Sequence, residues 1–233
     1  MRNLAGLAGL GIDLQKMNQH SKREERCAKE KACRLRDRLK QATREAILEA
    51  SEAVFSERGF TGARMEEIAA RAGVAVGTLY NRFADRQSLW SELCHSRREA
   101  LLVKLDDTLE RVRAQPFEDA LRAMLATFVD HWAAHRGFLS VLMQVDPPTS
   151  LPGPRARNRT MAQELLRRVR DLVRVGIDQG VLRVGGADLY PELLLGMLRS
   201  VLFHHLENAP STAAAADVEH MVRVFLYGAR RAQ

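Results

Sequence analysis

Gly59-Phe-Thr-Gly-Ala-Arg-Met-Glu-Glu-Ile-Ala-Ala-Arg-Ala-Gly-Val-Ala-Val-Gly-Thr-Leu-Tyr-Asn-Arg-Phe83 is the stretch that decides the fold. Met65, Ile68, Ala69 and Ala72 recur at i, i+3, i+4 and i+7, which predicts a short amphipathic helix over 64–72. Gly73 closes it, and a third short helix follows with Val76, Leu79 and Phe83 on one side and Thr78, Asn81 and Arg82 on another. Upstream, Ile47, Ala50, Val54 and Phe55 mark a first helix from about Lys40, which Gly59 stops. Two short helices joined at a glycine and braced by a third follow the helix-turn-helix plan, which sets one helix in the DNA major groove. The turn needs a residue tolerant of positive φ (Gly73), and the interlock needs apolar side chains on both helices (Ile68, Ala69, Val74, Leu79). On periodicity alone, an ordinary helical bundle fits as well.

Downstream the periodic stretches lengthen: 85–113, 117–135, 138–144, 155–179, 188–207 and 213–230. Their breaks fall at Pro116, Gly137, Pro147 to Pro154, Gly180 with Gly185 and Gly186, and Asn208 to Pro210. With 6% aromatic residues and few β-branched runs, the expected class is all-α. The expected parts are a basic arm over 1–38, a helix-turn-helix domain over 39–86, and a helical regulatory and dimerisation domain over 87–233.

The 233 residues carry a net charge of +7, which points to a polyanionic partner. Residues 16–44 hold eleven basic side chains against four acidic ones, so they account for the whole excess. That stretch reads as a solvated tail, as an arm that tracks phosphates or the minor groove, or as sequence upstream of a true start at Met17. Cys27, Cys33 and Cys94 form no CxxC pair, which fits a reducing compartment and no structural disulfide. The run Leu4 to Ile12 has only Arg2 before it and no cleavage pattern, and no window has the apolar length of a membrane span. A cytoplasmic protein without membrane contact is expected.

The quoted head resembles the TetR/AcrR family of bacterial regulators. Gly59-Phe60, Ile68-Ala69, Ala72-Gly73-Val74, Gly77-Thr78-Leu79-Tyr80 and Phe83 stand at that family's spacing, followed by Arg86 and Leu89. The likeness covers residues 41–101. The body shares the family's helix plan and the Gly176-Ile-Asp-Gln-Gly-Val-Leu-Arg183 stretch, which looks like the end of its seventh helix. The resemblance implies that Thr78 and Tyr80 give hydroxyls to DNA phosphates, which fixes register without reading sequence. It also implies that Asn81 and Arg82 lie near the backbone or groove floor, that Val76 and Gly77 approach base edges, and that Arg64 and Arg86 contact phosphates. Two positions depart from it: Ala63-Arg64 and Ala75 stand where the family often has Ser or Thr. Ala75 forgoes a helix cap of about 1 kcal/mol, and apolar Val76 can read only a thymine methyl.

An apolar ligand pocket is expected among Met124, Phe128, Trp132, Phe138 and Met143, although such residues also serve as plain core. His131 and His135 share a helical face at metal-binding spacing, but lack a Cys or carboxylate partner in sequence and read as ordinary amphipathic histidines. Neither a metal site nor a cofactor is called for. No Ser-His-Asp set or phosphate-binding glycine loop is present, so an enzyme is not expected. Leu193, Met197 and Val201, with Met221 and Phe225, are the expected faces of a two-fold four-helix interface. The reading is a homodimeric repressor released from a pseudo-palindromic double-stranded DNA operator by a small-molecule effector. The alternatives are a helical ligand-binding or interaction module, and a ligand-independent activator or architectural DNA binder.

Overall fold

The computed structural model describes residues 14–145, 156–207 and 214–229. The Leu4 to Ile12 run and the Pro147 to Pro154 loop lie outside them, as do Asn208 to Pro210. The architecture is all-α: α1 (Leu14–Gly62), α2 (Met65–Arg71), α3 (Val76–Tyr80), α4 (Arg86–Arg111), α5 (Phe117–Ala134), α6 (Arg136–Val145), α7 (Ala156–Asp178), α8 (Tyr190–Glu207) and α9 (Ala214–Ala229), with a 3-10 turn Val184–Gly186 before α8. The chain divides into two units, residues 1–47 and 48–233. The whole basic stretch, residues 16–44, falls in the first unit and on α1. The rest of α1 and every later helix form the second.

Local chemistry explains where the helices stop. Gly59, at φ 70°, breaks the path of α1. Gly73, at φ 68°, ends α2 in a Schellman turn: Val74 N–H donates to Ala69 O (3.0 Å) and Gly73 N–H to Ala70 O (3.2 Å), which satisfies carbonyls the helix would otherwise leave unpaired. The start of α4 is fixed by a reciprocal cap. Ser88 N–H donates to Asp85 Oδ1 at 2.7 Å, and Asp85 N–H donates to Ser88 Oγ at 3.2 Å.

The second unit has a continuous aromatic core running from α1 into the later helices. Phe55 meets Trp90 edge-on at 5.0 Å, Trp90 meets Phe138 at 5.2 Å, and Phe138 stacks on Trp132 at 6.2 Å. Each such ring contact adds about 0.5–1.5 kcal/mol to the burial it brings. Around this core α5 packs against α4, α7, α8 and α9, so it is the central helix of the body. At the start of α6, a Cβ on residue 137 would come within 2.5 Å of Ser56 Oγ, so only glycine allows α6 this close to α1.

Candidate nucleic-acid interface

α3 holds itself in place through one residue. Leu79 is 0% exposed, while Gly77, Thr78, Asn81 and Arg82 are exposed and Tyr80 is 45% exposed. A helix with one buried anchor and hydroxyl, amide and guanidinium groups outside is a rigid presenter of donors, and phosphate oxygens only accept. Val76, 37% exposed, stands beside this surface. Arg64 is exposed at the N-cap of α2 and makes no side-chain cap there, and Ala75 supplies no side-chain cap to α3.

α2 is strapped to the end of α1 by two ion pairs, Arg58–Glu67 at 3.3 Å and Arg71–Glu57 at 2.7 Å. Arg86 departs from its expected place at the phosphates. Its Nη1 donates to Thr61 O (2.7 Å) and Ala63 O (3.0 Å), and its guanidinium lies 4.8 Å from the centroid of Phe60. The α1–α2 corner lacks a capping side chain, and Arg86 reaches back from α4 to satisfy its carbonyls. Residue spacing gave no sign of this, because a contact 23–25 residues away in sequence leaves no local pattern.

Glu52 of α1 joins this part of the chain to the later helices. Its Oε1 lies 2.7 Å from His135 Nδ1, just past α5, and its Oε2 accepts from Arg97 Nε of α4. Burial opposes ionisation of Glu52, but the hydrogen bond from His135 and the charge of Arg97 outweigh it and hold its pKa below the usual value. Beside this network, 4.9 Å from the His135 ring, sits His131, 1% exposed. Neither of its ring nitrogens has a hydrogen-bond partner, and Trp132 Nε1 is in the same position. Desolvation pushes His131 down to about 4, so it is neutral in the folded protein at ordinary pH. His131 is therefore a buried side chain of α5, while His135, partly exposed at the C-cap of that helix, is held by Glu52. Among the described residues, no cluster of His, Cys, Asp and Glu could hold a metal ion.

Met124, Phe128, Trp132 and Phe138, expected around a ligand, are buried, Met143 is half-buried, and none lines a described cavity. A cavity of about 590 Å³ lies between α4, α5 and α7, with Leu109, Val112, Leu172 and Val175 on its apolar side. Asp106 and Arg168 form part of its wall. Arg168 donates to both oxygens of Asp106, at 2.7 and 2.6 Å, and to Glu164 Oε2 at 3.0 Å. The forked bond holds the Asp106 carboxyl below its usual range.

On the outer face of α8 and α9, Leu193 is 47% exposed, and Met197, Val201 and Met221 line a groove with it. Gly196 lies open in that groove, where a Cβ would meet nothing within 4 Å. Phe225 does not belong to this face: it is buried edge-on against Tyr190 at 5.7 Å. The exposed large apolar side chains of α9 are Val224 and Tyr227, the latter 82% exposed, and Leu189 is exposed just before α8. The register of α9 is turned from the expected one because Tyr190 and Phe225 pair inside.

Residues 47–93 match the profile of "Bacterial regulatory proteins, tetR family". Over 145 residues the chain is 28% identical to the HTH-type transcriptional repressor NicS of Pseudomonas putida, a stretch that is 60% of this chain and 66% of that protein. Over 82 residues it is 30% identical to the HTH-type transcriptional repressor KstR2 of Mycobacterium tuberculosis, covering 35% of this chain and 40% of the other. The chain thus spans less than two thirds of the length of these curated relatives. Its fold is that of the TetR family regulator PfmR from Thermus thermophilus, at TM-score 0.65 and 21% identity over 79% of this chain and 99% of the other. It is also that of the transcriptional regulator FadR from Bacillus subtilis, solved in complex with stearoyl-CoA, at TM-score 0.67 and 18% identity over 79% and 98%. The head, residues 47–93, thus matches the tetR family of bacterial regulatory proteins, and the fold that continues it is the one seen in solved TetR family regulators.

Proposed function

We propose that this protein is a homodimeric, ligand-responsive repressor. In this reading residues 39–86 grip a pseudo-palindromic operator and residues 87–233 bind the effector and the second subunit. The observation that carries it is α3, with Leu79 buried and Thr78, Tyr80, Asn81 and Arg82 turned outward. Thr78 and Tyr80 donate to phosphates, and Val76 and Gly77 come close to the bases. Arg64 adds a charged contact where the fold leaves it exposed.

The groove of Leu193, Gly196, Met197, Val201 and Met221, extended by Val224 and Tyr227, supports a two-fold interface on α8 and α9. A second subunit there sets the spacing of two reading helices. The effector enters between α4, α5 and α7, where Arg168 and Asp106 tie α7 to the helix that starts at the DNA-binding head. A ligand that competes for this ion pair frees α4, and Glu52, Arg97 and His135 pass the shift to α1. The ligand must bind the freed state more tightly than the DNA-bound one.

Selection from random duplexes tests the reading. A palindromic consensus is expected, and the absence of any consensus overturns sequence-specific binding. With that operator in hand, Thr78→Ala combined with Tyr80→Phe weakens binding roughly a hundredfold for each half-site, at about 1.5 kcal/mol for each hydroxyl–phosphate bond, with the dimer intact by light scattering. Unchanged affinity removes the phosphate role of both hydroxyls.

A further inference from the structure

The helix-turn-helix segment, residues 47–93, has five arginines, Arg58, Arg64, Arg71, Arg82 and Arg86, against seven carboxylates, a net charge of −2. Two of the five are paired with Glu67 and Glu57, and Arg86 bonds to main-chain carbonyls. DNA affinity is dominated by cations that displace counterions from phosphates, and a segment of this charge supplies few of them. Residues 16–44 carry +7, the entire net charge of the chain.

The structure puts that charge on a helix. Within the first unit, Lys31, Arg34 and Arg38 follow one another at i, i+3 and i+7, while Arg36, Lys40 and Arg44 follow at i, i+4 and i+8. These spacings make two separate rows along a helix. Leu35 and Leu39, each 59% exposed, lie in the stripe between them. Lys31, Arg34, Arg36, Arg38 and Lys40 are all exposed. A helix about 10–12 Å across fits a major groove about 12 Å wide. Two basic rows on either side of an apolar stripe match a groove walled by two phosphate strands. Residues 16–44 span roughly 40 Å at 1.5 Å per residue, somewhat more than one turn of duplex.

We infer that the basic helix of residues 16–44 is a second DNA-binding element, lying along duplex phosphates with a basic row on each strand and supplying most of the chain's sequence-independent affinity. The inference rests on the DNA-binding reading above, and assigns the electrostatic share of it to the arm. α3 then chooses the site, and the arm holds the protein on DNA while it searches.

The test uses the full chain and a random-sequence duplex of about 30 base pairs, titrated across about 50–200 mM salt. Replacing Lys31, Arg34, Arg36, Arg38 and Lys40 by Gln keeps a good helix former at each exposed position. Binding is expected to fall at least about tenfold at the lower salt, and the log–log salt slope to flatten by roughly 0.9 for each phosphate that the variant no longer neutralises. A companion with Lys at Arg34, Arg36 and Arg38 keeps the charge and retains the slope. Equal helix content by circular dichroism in all three proteins excludes unfolding as the cause. A Gln variant whose slope and affinity match the parent overturns the assignment. So does a variant that loses binding to vesicles containing phosphatidylserine while its duplex binding is unchanged. If the parent binds no duplex even at low salt, the DNA-binding reading fails along with the arm, a result distinct from failure of the arm alone.

Discussion

In the head, the side chains of most consequence face outward; in the body they are inside. α3 buries only Leu79 and exposes Thr78, Tyr80, Asn81 and Arg82. α5 buries His131 with both ring nitrogens unpartnered, and α7 sinks Arg168 against Asp106. The exposed donors of α3 stay solvated in the free protein, at little cost to folding. Donors and acceptors placed inside cost stability whenever they lack partners, about 1–3 kcal/mol each. The body carries that cost at His131, whereas the polar groups of α3 stay in water.

The largest expected effect comes from removing the anchor that lets the head show its polar face. Leu79→Ala empties a fully buried site and costs roughly 2–5 kcal/mol. Denaturant melts should show that loss, and operator binding should collapse although Thr78 and Tyr80 are intact. Binding that survives would mean α3 is oriented by DNA and not by its own core.

The body's counterpart is its pH response. His131 titrates near 4 when folded, against an ordinary value of 6.5. Between those values the unfolded chain takes up a proton that the folded chain refuses. Its contribution is therefore complete above about 6.5 and is lost as the pH falls towards about 4, by up to roughly 3 kcal/mol. His131→Phe should flatten this part of the stability profile in denaturant melts between about pH 7 and pH 4.5. An unchanged profile would show that the imidazole is hydrated in solution.

A smaller effect separates the two regions at their junction, the start of α4. Asp85→Ala removes the acceptor for Ser88 N–H and should lower the midpoint of thermal melts by less than either change above. Because Asp85 is held below its ordinary pKa, chiefly by that hydrogen bond, its contribution is present above about 4 and fades as the pH falls through the lowered value. His131 and Asp85 thus lose their contributions over different acid ranges, and the two variants tell them apart.

The sequence disclosed the head and body unequally for physical reasons. Gly59, Gly73, the Ile68–Leu79 interlock and the exposed Thr78 and Tyr80 are local signals, set by helix period and turn chemistry within a few residues. The Arg86 clamp, the Glu52–Arg97–His135 network and the Arg168–Asp106 fork join residues 23 to 83 positions apart. Nothing in periodicity marks such pairs. The face of α9 shows the same limit. Spacing found its apolar residues, but only packing decides that Phe225 meets Tyr190 while Val224 and Tyr227 stay outside.

The smallest effect asks whether the head's own ion pairs matter. Arg71–Glu57 joins side chains 45% and 48% exposed, whereas those of Arg97 and Glu52 are 16% and 15% exposed. Water and salt screen the first pair, so a double-mutant cycle with Arg71→Gln and Glu57→Gln should give a coupling of about 0.2–1 kcal/mol that fades with salt. The corresponding cycle at Arg97 and Glu52 should give more and resist salt, because that pair is shielded and shares Glu52 with His135. Equal couplings would mean that the straps holding α2 to α1 are as much a part of the head's rigidity as its Leu79 anchor. The head would then depend on internal polar contacts in the way the body does.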